Sequence, residues 1–366
     1  MSELAPLIGT SVRGIAACVP INRQATADCP AFTSAEDASR FAAAMGISER
    51  RIARAGQCAS DLCAFAAEAL LKKLGWDRSS IGILVMITQS PDYGIPATGI
   101  LLQNRLGLSV NTIAFDINLG CSAFPFGLAQ IASTMHTLRI TRGILLIGDI
   151  SSRSCNHNDP SSYPLFGDAG SAVALELNDM AKPLLFDLHS DGSGGGAILV
   201  KSSSLVGRHP ISPKSLEVNS CGDDGHPRSD LNIRLNGADI FSFSIQRAPE
   251  SIRRILDMAS LRPADFDYLV LHQANKMINE MICRKSGFRA VQAMNSLEHF
   301  GNTGSASIPV TLCSKVQRID KATRILACGF GVGLSWGSVI LEVDPDTPLF
   351  IMETDDVFRP GILIDL

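Results

Sequence analysis

Three residues far apart in the chain carry side chains suited to chemistry: Cys121, whose sulfur can attack a thioester, and His272 and Asn302, which can donate hydrogen bonds. Cys121 follows the apolar run TIAFDINLG and opens CSAFPFGLAQIASTM, where Phe126, Ile131 and Met135 mark the buried stripe of a helix. A thiol at a helix N-terminus meets unpaired N–H groups and the positive end of the macrodipole, which favour the thiolate, the form that attacks thioesters. Pro125 is tolerated in such a first turn, where N–H groups lack helical partners. His272 ends the strand pattern YLVLH ahead of QANKMINEMICRKSGF, at the strand-to-helix edge where α/β proteins gather reactive groups. Its imidazole can donate a hydrogen bond or move a proton. Asn302 lies in HFGNTGSASIPV, between Gly301 and Gly304, whose backbone freedom lets the amide approach another segment. Amide N–H groups stabilise a developing negative charge without exchanging protons. Taken singly, each placement also suits a quieter role: an inert buried thiol, a hydrogen-bonded structural imidazole, an ordinary Asn-Thr-Gly turn.

The elements that must position these residues follow an α/β rhythm. IGILVMIT (81–88) reads as a strand, LLQNRLGL as a helix and TIAFDINL as a strand. A helix from Cys121 and the strand GILLIGDIS (143–151) continue the parallel pattern, and SAVALEL (171–177) reads as a returning strand. The pattern then starts again. DYLVLHQAN (267–275) echoes IGILVMITQSPD, and RILACGFGVGLSWGSVILEV (324–343) echoes RGILLIGD with GSAVALEL, which suggests two similar halves. Parallel strands share Ile, Leu and Val in any case, so the echo alone does not decide the point. The expected division is residues 1–180 with the cysteine, 181–345 with the histidine and asparagine, and a C-terminal extension over 346–366, to which the sequence assigns no task. The stretch from Gly192 to Asp230, rich in Ser, Gly, Pro and Asp, reads as an irregular surface segment bordering the substrate entrance.

Composition narrows the function classes. The 366 residues are 46% hydrophobic and 19% charged, enough to bury a sizeable core. A net charge of -4 gives no broad basic field for phosphate backbones, so nucleic acid is not an expected partner. No run of 18 or more apolar residues and no basic-then-apolar leader stands out in the sequence; neither a membrane nor a secretory role is expected, and the location is read as cytoplasmic. The ten cysteines sit mostly in apolar contexts such as Cys18, Cys63, Cys283, Cys313 and Cys328 and are read as reduced core residues. They form no CxxC pair and the seven histidines are dispersed, so no metal is expected.

Together GCSAF (120–124), HQAN (272–275), GNTGSASIP (301–309) and GFGVGLSWGS (329–338) resemble the signature blocks of the β-ketoacyl-[acyl-carrier-protein] synthase III family of the thiolase superfamily, in that family's order. GISERRIA (46–53), LLQNRLGL (101–108), FGDAGSA (166–172) and SDGSG (190–194) extend the likeness to most of the chain. The resemblance implies a thiolase fold, a five-layered αβαβα arrangement of two pseudo-symmetric halves, usually in a homodimer. It implies an acyltransferase in which Cys121 takes an acyl group from a thioester. His272 and Asn302 then support decarboxylation of a malonyl thioester, and the carbanion attacks the acyl-cysteine. The oxyanion donors it implies are the N–H groups of Cys121 and Val332, where relatives commonly carry glycine. Ile95, Asn275 and Phe330 fall at its substrate-binding positions, and a chain aliphatic at 95 instead of aromatic is expected to accept acyl groups longer than acetyl. Acyl-CoA or acyl carrier protein would bring the donor and malonyl carrier protein the extender, with no other cofactor, in fatty-acid, polyketide or glycolipid synthesis.

The chain departs from that pattern where relatives grip the adenine of coenzyme A. Arg40 stands at the early tryptophan position, and the second adenine-contacting arginine is replaced in DPSSYPLFGD, leaving Ser162 or Tyr163. Arg50, Arg51 and Arg54 are candidates for a basic patch facing an acidic carrier protein. Two other functions share the same residues: transfer of the cysteine-bound acyl group to an alcohol or amine, and a non-catalytic partner subunit.

Overall fold

The computed structural model describes residues 9–218, 225–316 and 319–358. The first eight residues, Asn219 to Asp224 of the Gly/Ser-rich stretch, and residues 359–366 of the extension lie outside them.

Apolar runs form the strands of two sheets, the central ones buried on both faces. In the first half these are β1 (Thr10–Pro20), β4 (Ile83–Ile87), β5 (Ile113–Ile117), β6 (Arg142–Asp149) and β7 (Ala169–Leu177), with β2 (Arg23–Ala25) and β3 (Glu49–Arg51) forming a separate two-stranded ribbon. In the second half they are β8 (Leu185–Ser190), β11 (Tyr268–Leu271), β12 (Ala293–Met294), β13 (Thr323–Gly331) and β14 (Ser335–Val343). A further ribbon pairs β9 (Ile198–Val200) with β10 (Ile233–Leu235), and β15 (Leu349–Thr354) ends the described chain's regular structure.

The sheet orders are β15-β1-β7-β6-β4-β5 and β12-β11-β13-β14-β8. Without β15, the first reads β1-β7-β6-β4-β5 and the second, reversed, β8-β14-β13-β11-β12. The pair senses repeat as well: two antiparallel pairs and then two parallel ones in each half. The echo in sequence is therefore a repeat in space.

Helices fill the layers around the sheets: α1 (Ala35–Met45), α2 (Ala59–Leu74), α3 (Thr98–Arg105), α4 (Ala123–Leu138), the one-turn α5 (Pro213–Leu216), α6 (Gly237–Ala259), α7 (Lys276–Lys285), the short α8 (Leu297–Phe300) and α9 (Ser307–Lys315). Local chemistry sets several boundaries. Ser34 accepts the Asp37 N–H to begin α1, Asn275 caps α7 through the Ile278 N–H, and Gly75 ends α2 in the left-handed region. Alternate strand residues send their side chains to opposite faces. Ile325 and Ala327 of β13 join α4 and α9 in a cluster between the sheets, while Leu326 and Cys328 join α6 and α7 on the far side. α2 and α3 cover the outer face of the first sheet. The layers are thus helix, sheet, helix, sheet, helix, the thiolase fold.

Two expectations change. Within the stretch from Gly192 to Asp230, read as irregular, Ile198–Val200 makes a strand because Ile233–Leu235 supplies its partner. The extension, read without a task, adds β15 parallel to β1, with Phe350 and Met352 packed on one face of the sheet and Leu349 and Ile351 on the other. No helix among the described residues is long and apolar enough to cross a membrane.

Candidate active site

The C-terminal ends of the parallel strands converge on a cavity of about 850 Å³ between the halves. Cys121 follows β5, His272 follows β11, Asn302 follows α8, and all three line this cavity with Val332, Phe330 and Asn275. α4 starts two residues later than the sequence suggested, because Cys121 and Ser122 form a turn ahead of Ala123.

The turn after β13 sits hard against the cysteine. A Cβ on Gly331 would stand 2.7 Å from Cys121 Sγ, so only glycine admits this approach. Ser335 Oγ donates to the Val332 carbonyl at 2.8 Å while bonding Ser122 Oγ at 2.7 Å, which fixes the turn against the cysteine. The valine side chain occupies space left by a missing one: a Cβ on Gly120 would come within 2.8 Å of Val332 Cγ1.

Burial raises the Cys121 thiol to about 11; hydrogen bonds from the N–H groups of Val332 and Cys121 oppose the shift and the nearby Asp149 adds to it. The helix end that favours the thiolate is thus opposed by burial, the larger of the two influences on Cys121. His272 is 2% exposed, and burial lowers its imidazole to about 3, partly offset by a backbone hydrogen bond with Gly304. It is neutral at physiological pH. Its Nδ1 lies 2.7 Å from Ser307 Oγ, and its ring meets Phe330 edge-on at 5.5 Å.

Asn302 is fixed on both sides. Its backbone N–H donates to Leu165 at 3.0 Å and its carbonyl accepts from Gly167 at 3.0 Å, while Oδ1 takes the Gly304 N–H at 3.0 Å. With Oδ1 so engaged, the side chain has its NH₂ group to offer. Gly301 and Gly304 adopt φ of +63° and +56°, the unusual path their sequence context implied.

Several sequence expectations move. Arg50 and Arg51 are 2% and 3% exposed and form no surface patch. Arg50 donates to the carbonyls of Phe166 (2.7 Å) and Tyr163 and lies 4.1 Å over the Tyr163 ring, bracing the loop that pairs with Asn302. Arg51 donates to the Pro20 carbonyl and to Glu353. Of that trio Arg54 alone is exposed. Ser162 and Tyr163 are buried too, the first bonded to Asp159; Pro160 and Ser161 line the cavity instead. Arg40 lies on the exposed side of α1, paired with Asp37 at 2.8 Å. Ile95 is 90% exposed and is not among the residues lining this chain's cavity; Tyr93, Ile100, Val110 and Ile113 are exposed too. Asn275 spends its Oδ1 on the α7 cap.

Sequence reasoning missed Asp149, the last residue of β6, and the apolar ribbon that supplies Ile198, Leu199, Val200, Ile233 and Leu235 to the cavity wall. The signal for Asp149 was present: an acid ending the apolar run RGILLIGD, at the same strand edge as Cys121 and His272.

Known proteins resemble the chain over these same segments. Residues 115–192 match the family described as 3-oxoacyl-[acyl-carrier-protein (ACP)] synthase III, and residues 256–343 match its C-terminal part. A β-ketoacyl-[acyl-carrier-protein] synthase III of Streptococcus equi subsp. equi is 34% identical over 302 residues, covering 81% of this chain and 88% of the relative. One from Thermosynechococcus vestitus is 30% identical over 336 residues, covering 91% and 98%. The crystal structure of a 3-oxoacyl-(acyl-carrier protein) synthase from Burkholderia xenovorans superposes with a TM-score of 0.88 at 31% identity, covering 94% of this chain and 97% of that one.

Proposed function

Because the chain belongs to the 3-oxoacyl-[acyl-carrier-protein] synthase III family, we propose that it is a condensing enzyme that loads an acyl group onto Cys121 and extends it with a malonyl thioester on acyl carrier protein. In the first step Cys121 Sγ attacks the donor's thioester carbonyl. The carbonyl oxygen takes up negative charge and meets the N–H groups of Cys121 and Val332. The donor's thiolate then leaves with the proton that Cys121 gives up.

In the second step the malonyl thioester loses carbon dioxide, and the electron pair left behind spreads onto its thioester oxygen. His272, a neutral donor, and the NH₂ group of Asn302 stabilise that enolate. Its carbon attacks the acyl-cysteine carbonyl, the carbon–carbon bond forms, and the cysteine sulfur leaves and regains a proton. These steps call on the thioester carriers and on no metal or redox cofactor.

One observation carries the reading: Cys121, His272 and Asn302, separated by up to half the chain, line one cavity together with Val332 of the turn that packs on the cysteine. The open side of β5 and the exposed apolar residues around it support a homodimer built along that edge. α7 carries the exposed Lys276 between cavity-lining Asn275 and Met277, and the exposed Arg284 and Lys285 in its last turn, which supports this helix, in place of Arg50 and Arg51, as the face for an acidic carrier protein.

The test is intact-protein mass spectrometry with acyl-CoA and acyl-carrier-protein donors, on the native chain and Cys121→Ser, followed by malonyl carrier protein. The expected result is an adduct that requires Cys121 and is discharged with release of carbon dioxide. An adduct that malonyl carrier protein fails to discharge moves the function to acyl transfer onto another acceptor. No adduct from any donor makes the chain a non-catalytic partner.

A further inference from the structure

Asp149 is the one carboxylate lining the cavity among the described residues, and it is 3% exposed. A carboxylate this deep persists only where hydrogen bonds replace its lost water. Here the donors come from both halves. Oδ1 accepts the Gln89 N–H at 2.7 Å, the Thr88 hydroxyl at 3.2 Å and, more weakly, the Ser90 hydroxyl at 3.4 Å, all just beyond β4. Oδ2 accepts the Ser305 N–H at 3.0 Å, from the loop that begins at Asn302. Two successive N–H groups of that loop are therefore fixed: Gly304 on the Asn302 side chain and Ser305 on Asp149.

We propose that Asp149 is a positioning residue for the condensation step: bridging the two halves, it holds the loop from Asn302 to Ser305, and with it the Asn302 amide, at a fixed distance from Cys121. The inference rests on the proposed condensing function. Loading of Cys121 uses the N–H groups of Cys121 and Val332, which are not among the donors to Asp149. Asn302 acts only when the malonyl thioester loses carbon dioxide. A loosened loop therefore separates the two steps.

In Asp149→Asn the volume is kept, but an NH₂ group replaces one oxygen and meets an N–H, donor against donor. The expected result is loading of Cys121 that is not slowed, since loss of the Asp149 charge favours the thiolate, with discharge by malonyl carrier protein slowed on the order of 100-fold, the scale of a misplaced catalytic group. Thr88→Val removes one donor at constant volume and should shift the same ratio in the same direction by a smaller factor; it decides the matter if Asp149→Asn does not fold. Equal loss of both steps, or an unchanged ratio, overturns the proposal. Native protein that loads but never condenses overturns the function it rests on, and is read before either variant.

Discussion

Glu353 Oε1 lies 2.7 Å from Arg51 Nη2, so the strand added after the second half is locked to an arginine buried in the first. The Arg51 carbonyl in turn accepts the Asp168 N–H at 2.9 Å. Hydrogen bonding and charge from Arg51, with Arg23 alongside, hold the Glu353 carboxyl below the usual glutamate range. Because Glu353 is 40% exposed, solvent screens the pair, and Glu353→Gln should cost about 1 kcal/mol near neutral pH. A carboxyl with a lowered folded pKa stabilises above its unfolded pKa and loses that contribution as pH falls through its folded value. The melting difference between native and variant should therefore shrink on acidification; a constant difference would mean the pair contributes nothing.

Alkali should destabilise the chain. Burial raises Cys63, Cys155, Cys313 and Cys328 to about 12 and Cys121 to about 11, from an ordinary value of 9.0. Between those limits the unfolded chain releases protons that the folded chain keeps, so stability falls with rising pH by about 1.4 kcal/mol per unit for each such thiol. Thermal melts at pH 8 and 10 check this, and Cys328→Ala should lessen the slope.

Ser307→Ala removes the hydroxyl 2.7 Å from His272 Nδ1 and leaves the imidazole free to turn. Condensation should fall roughly 10- to 100-fold, as for other groups that orient a metal or catalytic imidazole. Cys121 should still load, since His272 acts on the extender. Separate measurement of adduct formation and discharge distinguishes this from a general loss of folding.

If Ile95 reaches the partner's acyl site, Ile95→Phe should shorten the range of chains that load. A series of acyl donors analysed by mass spectrometry reads the cut-off. The native chain should accept groups longer than acetyl, and strict acetyl preference would refute that expectation.

The site was largely legible because its three groups end apolar strands or flank glycines, local patterns that survive in one dimension. Burial was not. Arg50 and Arg51 look like surface charges in GISERRIA, yet their partners are carbonyls and a carboxylate 26 to 302 residues away. The upward push on the Cys121 thiol was hidden for the same reason: the sequence shows a helix end that favours charge, but not the walls that disfavour it. β15 carried a usable period in LFIMET, but its neighbour β1 lies more than three hundred residues earlier, so the strand had no visible partner.

The contact between positions 120 and 332 predicts a coupled pair. Gly120→Ala puts a Cβ 2.8 Å from Val332 Cγ1 and 2.4 Å from Gln89 Oε1; the glutamine can swing away, the stiff valine cannot. Loading of Cys121 should slow in Gly120→Ala as the Val332 N–H is displaced, and adding Val332→Gly should restore most of the rate. A lineage can gain the valine after losing the side chain at 120 and pass through a working enzyme with glycine at both sites, whereas the opposite order passes through the crowded combination. Of the four combinations of glycine or alanine at 120 with glycine or valine at 332, one alone is crowded, so the tolerance of either position is set by the other.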